Sequence, residues 1–96
     1  MNETYCIIRG DRSGVFFGKI AQRSGREVEL LECRRLWFWA GAASLSQLAT
    51  EGVKEPRRCK FTVTVPQLTV LDAIEVIPCS AEAAENIRAV PEWKNS

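Results

Sequence analysis

The first forty residues constrain the fold most, because β-forming runs there are separated by short glycine-bearing turns. Thr4-Tyr5-Cys6-Ile7-Ile8-Arg9 is rich in β-branched and aromatic residues, and so is Val15-Phe16-Phe17-Gly18-Lys19-Ile20-Ala21. Between them, Gly10-Asp11-Arg12-Ser13-Gly14 has the composition of a turn. Arg23-Ser24-Gly25-Arg26 is a second turn, after which Glu27-Val28-Glu29-Leu30 alternates polar and apolar at period two. Such spacing predicts an antiparallel meander of three strands. The third reads as unusually long, reaching Trp39, and its alternation changes phase at Leu30-Leu31. A β-bulge there explains the slip, leaving Leu31, Cys33, Arg35, Trp37 and Trp39 on one face. Gly18 is a second candidate bulge position.

The remainder mixes helix and strand. Gly41-Ala42-Ala43 breaks the third strand, and Ser44 with Gln47 three residues on forms a capping box for a short helix over residues 44–49. Gly52 stops it. A polar connection runs from Val53 to Lys60, followed by a strand at Phe61–Val65, an interruption at Pro66-Gln67-Leu68 and a strand from Val70 to Cys79. In that last strand Ile74, Val76 and Pro78 are expected on one face, and Ala73, Glu75, Ile77 and Cys79 on the other. Ser80 caps a final helix, Ala81 to about Ala89, and Trp93 is expected to fold back over the core. The predicted fold is therefore α+β: a mainly antiparallel sheet of about five strands with two short helices, in a single domain over residues 1–96.

Composition narrows the function classes. No apolar run approaches the length of a membrane span, and the start lacks the pattern of a secretory signal, so a cytosol is the expected compartment. A formal net charge of +1 argues against duplex DNA, whose binders carry a surplus of Lys and Arg. Cys6, Cys33, Cys59 and Cys79 are isolated and the chain has no histidine, which favours free thiols over a metal site or disulfides. Without histidine, a paired-carboxylate motif, a Gly-x-Ser-x-Gly or a phosphate loop, no enzyme and no cofactor are expected. Arg9-Gly10-Asp11 reads as turn composition and nothing more.

One stretch concentrates binding chemistry. Arg34 to Ala49 joins two arginines, three aromatics, small residues and a helix start. Arg34 or Arg35 is a candidate phosphate partner, only one of them being on the ligand's side if the strand is regular. Trp37 or Trp39 offers a face for a base, and Ser44, Ser46 and Gln47 offer polar contacts. The same run, Leu36-Trp37-Phe38-Trp39, equally suits a core or a subunit interface.

The motif Arg34-Arg35-Leu36-Trp37-Phe38-Trp39, continued by Gly41-Ala42-Ala43-Ser44-Leu45-Ser46-Gln47-Leu48-Ala49, carries a resemblance, with Cys59-Lys60-Phe61 and Ile77-Pro78-Cys79. In these features the chain resembles a family of small phage proteins linked to counter-defence against the bacterial CBASS system. That resemblance implies a homo-oligomer, a tetramer among its forms, that sequesters cyclic dinucleotides without cleaving them. It places the pocket between subunits and partly on Arg34–Gln47. The alternative is a protein-interaction module that inhibits a host protein through Trp37 and Trp39. Single-stranded nucleic acid is a weaker third reading because the charge is near neutral.

Overall fold

The computed structural model describes residues 4–95. Strands β1 (Tyr5–Gly10), β2 (Val15–Ser24) and β3 (Glu27–Phe38) form the expected meander. Gly25 sits at the first central position of the two-residue β2–β3 turn with φ of 60°, the positive value that primed hairpin turns require. Helix α1 (Leu45–Glu51) and a single 3-10 turn at Pro56–Arg58 follow. Then come β4 (Lys60–Phe61), β5 (Val65–Val70), β6 (Ala73–Pro78) and helix α2 (Ala81–Ala89). The result is an α+β fold with six strands in place of about five.

The extra strand arises because this stretch breaks twice, at Thr62–Thr64 and at the Leu71–Asp72 corner, and not at Pro66, so the single strand expected from Val70 to Cys79 is divided. Pro66 lies inside β5, which pairs only with β3, so its missing N–H costs no bond. All pairing between strands is antiparallel, in the order β4-β3-β2-β1-β6. β5 lies alongside Val28–Cys33 of β3, and β4 alongside its end at Leu36–Phe38.

That order forces the sheet to roll. β5 and β6 lie at opposite borders, yet only Leu71 and Asp72 join them, and chain from Val70 to Ala73 spans at most about 11 Å. The borders must therefore meet at that corner. Two backbone bonds hold it: Ala73 N–H to the Arg26 carbonyl and Asp11 N–H to the Asp72 carbonyl. The sheet becomes a partly open barrel.

Rolling gives the sheet two buried faces. Inside lie Ile8, Phe16, Val28, Leu30, Cys33 and Val70. Outside, Ile7, Phe17 and Leu36 meet Leu48, Phe61 and Ile87 beneath the helices. Strands buried on both sides need continuous apolar runs, which explains Cys6-Ile7-Ile8 and Val15-Phe16-Phe17. Each such large side chain contributes about 1.5–3 kcal/mol on burial. Ser80 and Asn86 lock the helices together. Ser80 Oγ accepts from Ala83 N–H to cap α2 and donates to the Thr50 carbonyl, while the Asn86 amide bonds both backbone groups of Val53.

The phase slip in β3 is real. Phe17 faces Arg34 and Lys19 faces Leu31, so three steps on β3 oppose two on β2, and Glu32 takes a φ of 51°. Leu30 and Cys33 consequently share the inner face. Of the expected set of Leu31, Cys33, Arg35, Trp37 and Trp39, Leu31 points the other way and Trp39 packs on the outer core after a further register shift between Leu36 and Phe38. A comparable shift at Arg9/Gly10 alters β6, where Ala73 and Val76 both turn inward although simple alternation separates them.

The bulge lies over Gly18, where a Cβ would sit 3.1 Å from the Leu31 carbonyl oxygen and 3.3 Å from the Cys33 Cα. Both contacts are backbone and cannot swing aside. Gly18→Ala should lower stability by about 1–3 kcal/mol, read as a lower urea midpoint with an unchanged slope.

Candidate functional site

The two neighbouring arginines at the centre of the predicted segment have opposite fates. Arg34 points to the outer face and is only 3% exposed. Its guanidinium meets a cage of carbonyl groups. Nε donates to Thr62 O at 2.9 Å, Nη1 to Ile87 O and Val90 O at 2.9 Å each, and Nη2 to Phe61 O at 3.1 Å and Pro91 O at 3.5 Å. A guanidinium has five N–H donors, so none is left for a ligand. Arg34 is therefore corrected from a candidate ligand residue to an internal clamp. Burial pushes its pKa down, and the nearby Glu92 carboxylate opposes that shift.

Arg35 points to the other side. Its guanidinium lies over the Phe16 ring, 4.6 Å from the centroid, and Nη1 donates to Ser13 O at 2.7 Å. Among the described residues this is its single side-chain hydrogen bond, so the remaining donors stay open. They border an open groove of about 380 Å³, lined by Leu68 and Leu71 with Ser13 and Asp72 at one end.

Asp72 sets the position of that end. Its carboxylate accepts from Arg12 N–H at 2.8 Å, Ser13 N–H at 3.1 Å and the Ser13 hydroxyl. The β1–β2 turn is thereby fastened to the β5–β6 corner, and the Ser13 carbonyl is held where Arg35 uses it. The Ser13 hydroxyl, then the backbone N–H of Arg12, holds the Asp72 carboxyl below the usual carboxylate range. Gly10 leaves room for this, since a Cβ there would meet Ser13 Oγ and Asp72 Oδ1.

The remaining candidates divide. Trp37 is 63% exposed and stacks on Trp93, with ring centroids 6.5 Å apart and planes 4° from parallel. Lys60 Nζ lies 5.5 Å from the Trp93 ring, and Phe38 is exposed beside Trp37 in sequence. Trp93 thus forms a surface ledge with Trp37 and does not fold over the core as expected. Trp39 is half-buried against the outer core and offers no free face pair.

Ser46 and Gln47 lie on α1 and Ser44 caps it, and the helix rests against α2, β1 and β6 on the outer face. Ser44 Oγ accepts from Gln47 N–H at 3.1 Å. Gln47 Oε1 accepts from Ala43 N–H at 2.7 Å, one residue before the predicted cap position, and Nε2 donates to Glu51. The Ser46 carbonyl accepts from the Thr50 hydroxyl at 2.7 Å, and the Ser46 side chain is exposed. These three act in the helix start and do not converge with Arg35. Of the seven predicted residues, Arg35 and Trp37 are the β3 positions with exposed, ligand-capable side chains, and a register shift against β4 between Leu36 and Phe38 interrupts the strict alternation between them.

Sequence reasoning missed Ser13, Leu68, Leu71, Asp72, Lys60 and Trp93 as neighbours of this surface. No local signal marks them, because they arrive from segments tens of residues away. The four cysteines are free thiols, well separated in role. Burial raises the Cys33 pKa to about 11 and the Cys79 pKa to about 12, which leaves neither thiolate accessible near neutral pH.

Replacing Arg34 by Lys keeps the charge but cannot satisfy a five-carbonyl cage. Arg34→Lys should cost about 2–4 kcal/mol in urea unfolding, and Arg34→Ala more. Asp72 gives a pH signature. Its folded pKa is depressed, so its contribution is full above the unfolded value of about 3.9 and is lost as pH falls through the folded value. Thermal midpoints should fall across that acid window, and Asp72→Asn should flatten this part of the profile.

Comparison with known proteins adds a family but no activity. No curated protein and no solved structure matches the chain. A family model described as "Domain of unknown function (DUF6948)" matches residues 3–87, taking in all six strands and the Asp72 corner, and the chain belongs to that family.

Proposed function

We propose that the protein is a non-catalytic binding protein that sequesters a cyclic dinucleotide through Arg35 and Trp37 of β3. The observation that carries this reading is the state of Arg35. Its guanidinium is fixed by one carbonyl and one ring face, and its other donors remain open beside a groove. A fixed planar fork suits bidentate contact with phosphate. Two residues along the same strand, Trp37 presents an indole already backed by Trp93, a flat surface on which a base can stack.

One protomer offers one such arginine and one such ledge. A cyclic dinucleotide has two phosphates and two bases in approximate twofold relation. An isologous pair of copies has the same symmetry, so the ligand is held between subunits of a homo-oligomer. In this reading the protein works in the cytosol of an infected host as an immune-evasion sponge.

A second reading has its own support. Trp37, Phe38 and Trp93 are all exposed near one end of the sheet, and Trp is the residue most enriched in protein-binding hot spots. That patch suits a host protein partner and needs no phosphate.

Thermal unfolding with a panel of cyclic di- and trinucleotides separates them. A ligand specific to the folded state adds about 2.7 kcal/mol at about 100 times its Kd, and the midpoint rises selectively. Arg35→Ala and Trp37→Ala should each abolish the rise while the unliganded midpoint changes little, and the ligand should be recovered intact. No rise with any nucleotide, together with one host protein captured stoichiometrically and lost in Trp37→Ala, replaces the first reading by the second.

A further inference from the structure

The groove beside Arg35 has a chemical character of its own. Along its length it is bordered by Leu68 and Leu71, with the buried Phe16 ring at its base beneath the guanidinium. Leu71 is 71% exposed, an unusual cost for a leucine at a two-residue corner. The polar groups at the Ser13–Asp72 end are hydrogen-bonded to one another. The Asp72 carboxylate takes three hydrogen bonds from the β1–β2 turn, and the Ser13 hydroxyl is one of their donors. The Ser13 carbonyl holds Arg35. What remains to meet a ligand is an apolar wall, the Thr69 side chain and a cation with open donors, with the Asp72 carboxylate at the border keeping an anion on the Arg35 side.

That combination fits one class of molecule. A bare inorganic anion gains from Arg35 but leaves the leucines in water. A neutral apolar compound covers the leucines but leaves the guanidinium without its anion. A flat apolar body carrying one phosphate or carboxylate satisfies both at once, and a volume of about 380 Å³ accommodates a single ring with its acid group. Among the described residues the polar side chains at the groove are Ser13, Arg35, Thr69 and Asp72, set along its border, so the ring body is read mainly by shape.

We infer that the groove between the β1–β2 turn and the β5–β6 corner is a site for a small aromatic organic anion. Arg35 takes the acid group and Leu68 and Leu71 take the ring. The inference rests on the same arginine as the proposed function but not on the ligand being a cyclic dinucleotide.

The test is an NMR titration of the folded chain with phenyl phosphate, phenylacetate and inorganic phosphate, following the methyl groups of Leu68, Val70 and Leu71. Phenyl phosphate or phenylacetate should move these resonances to saturation, with inorganic phosphate about tenfold weaker or worse. Arg35→Gln should abolish binding of all three. Leu71→Ser, at an exposed position, should bring phenyl phosphate down to the affinity of inorganic phosphate and leave the latter unchanged. Methyl resonances unmoved by either aromatic anion, or variants that bind like the parent, would overturn the site. If the aromatic anions bind and no cyclic dinucleotide does, the site stands and the sponge reading falls. If a cyclic dinucleotide binds and neither aromatic anion does, the site falls and the sponge reading stands.

Discussion

A buried guanidinium organises much of this structure. Arg34 projects from the middle of β3 into a ring of five carbonyl oxygens drawn from Phe61–Thr62 and Ile87–Pro91. Burying a charge without partners is prohibitive, and a carboxylate partner would itself need desolvation. Carbonyl dipoles avoid the second cost. The acceptors at Ile87 and Val90 also lie at the end of α2, where the helix dipole is negative and the last carbonyls lack helical donors. One side chain thus ends a helix, anchors the chain beyond it and fixes the β4 segment. Through the Trp93 N–H bond to the Phe61 carbonyl, the same arrangement brings Trp93 against Trp37.

The contrast between Arg34 and Arg35 follows from the pleat and the roll of the sheet. Adjacent residues on a strand face opposite ways. On one side lies the helical layer with its free carbonyls, and on the other the barrel corner built by Asp72. The bulge at Glu32 decides which arginine meets which layer. Without the extra residue, the C-terminal half of β3 would present the opposite set of side chains to each core.

Local signals in the sequence were legible, and long-range ones were not. The meander, both serine caps, the Gly52 stop and the bulge near Leu31 each follow from a few consecutive residues, and each is found. The split of Phe61–Val65 was not visible, because it depends on Arg34 and Trp93 engaging the Phe61 carbonyl. The inward turn of both Ala73 and Val76 depends on a register shift against β1. Arg34 and Arg35 are chemically identical in the sequence, and only the segments at residues 61–62 and 87–91 distinguish them. Trp39 and the Ser44–Gln47 group look like a binding constellation at the level of composition. In the fold they are a packing residue and a helix start.

The carbonyl cage also bears on the order in which the chain acquires its shape during synthesis. β1, β2 and most of β3 emerge early and can pair locally. Arg34 emerges with them, but the last of its acceptors, at Val90 and Pro91, come more than fifty residues later. Until then the outer face of β3 carries a hydrated cation where the finished protein has a dry one, and nothing stable can close over it. The meander alone completes neither layer, since the inner core also needs Val70 and Ala73 and the outer one Ile87 and Val90. The cage therefore ties the completion of the outer layer to the last segment of the fold.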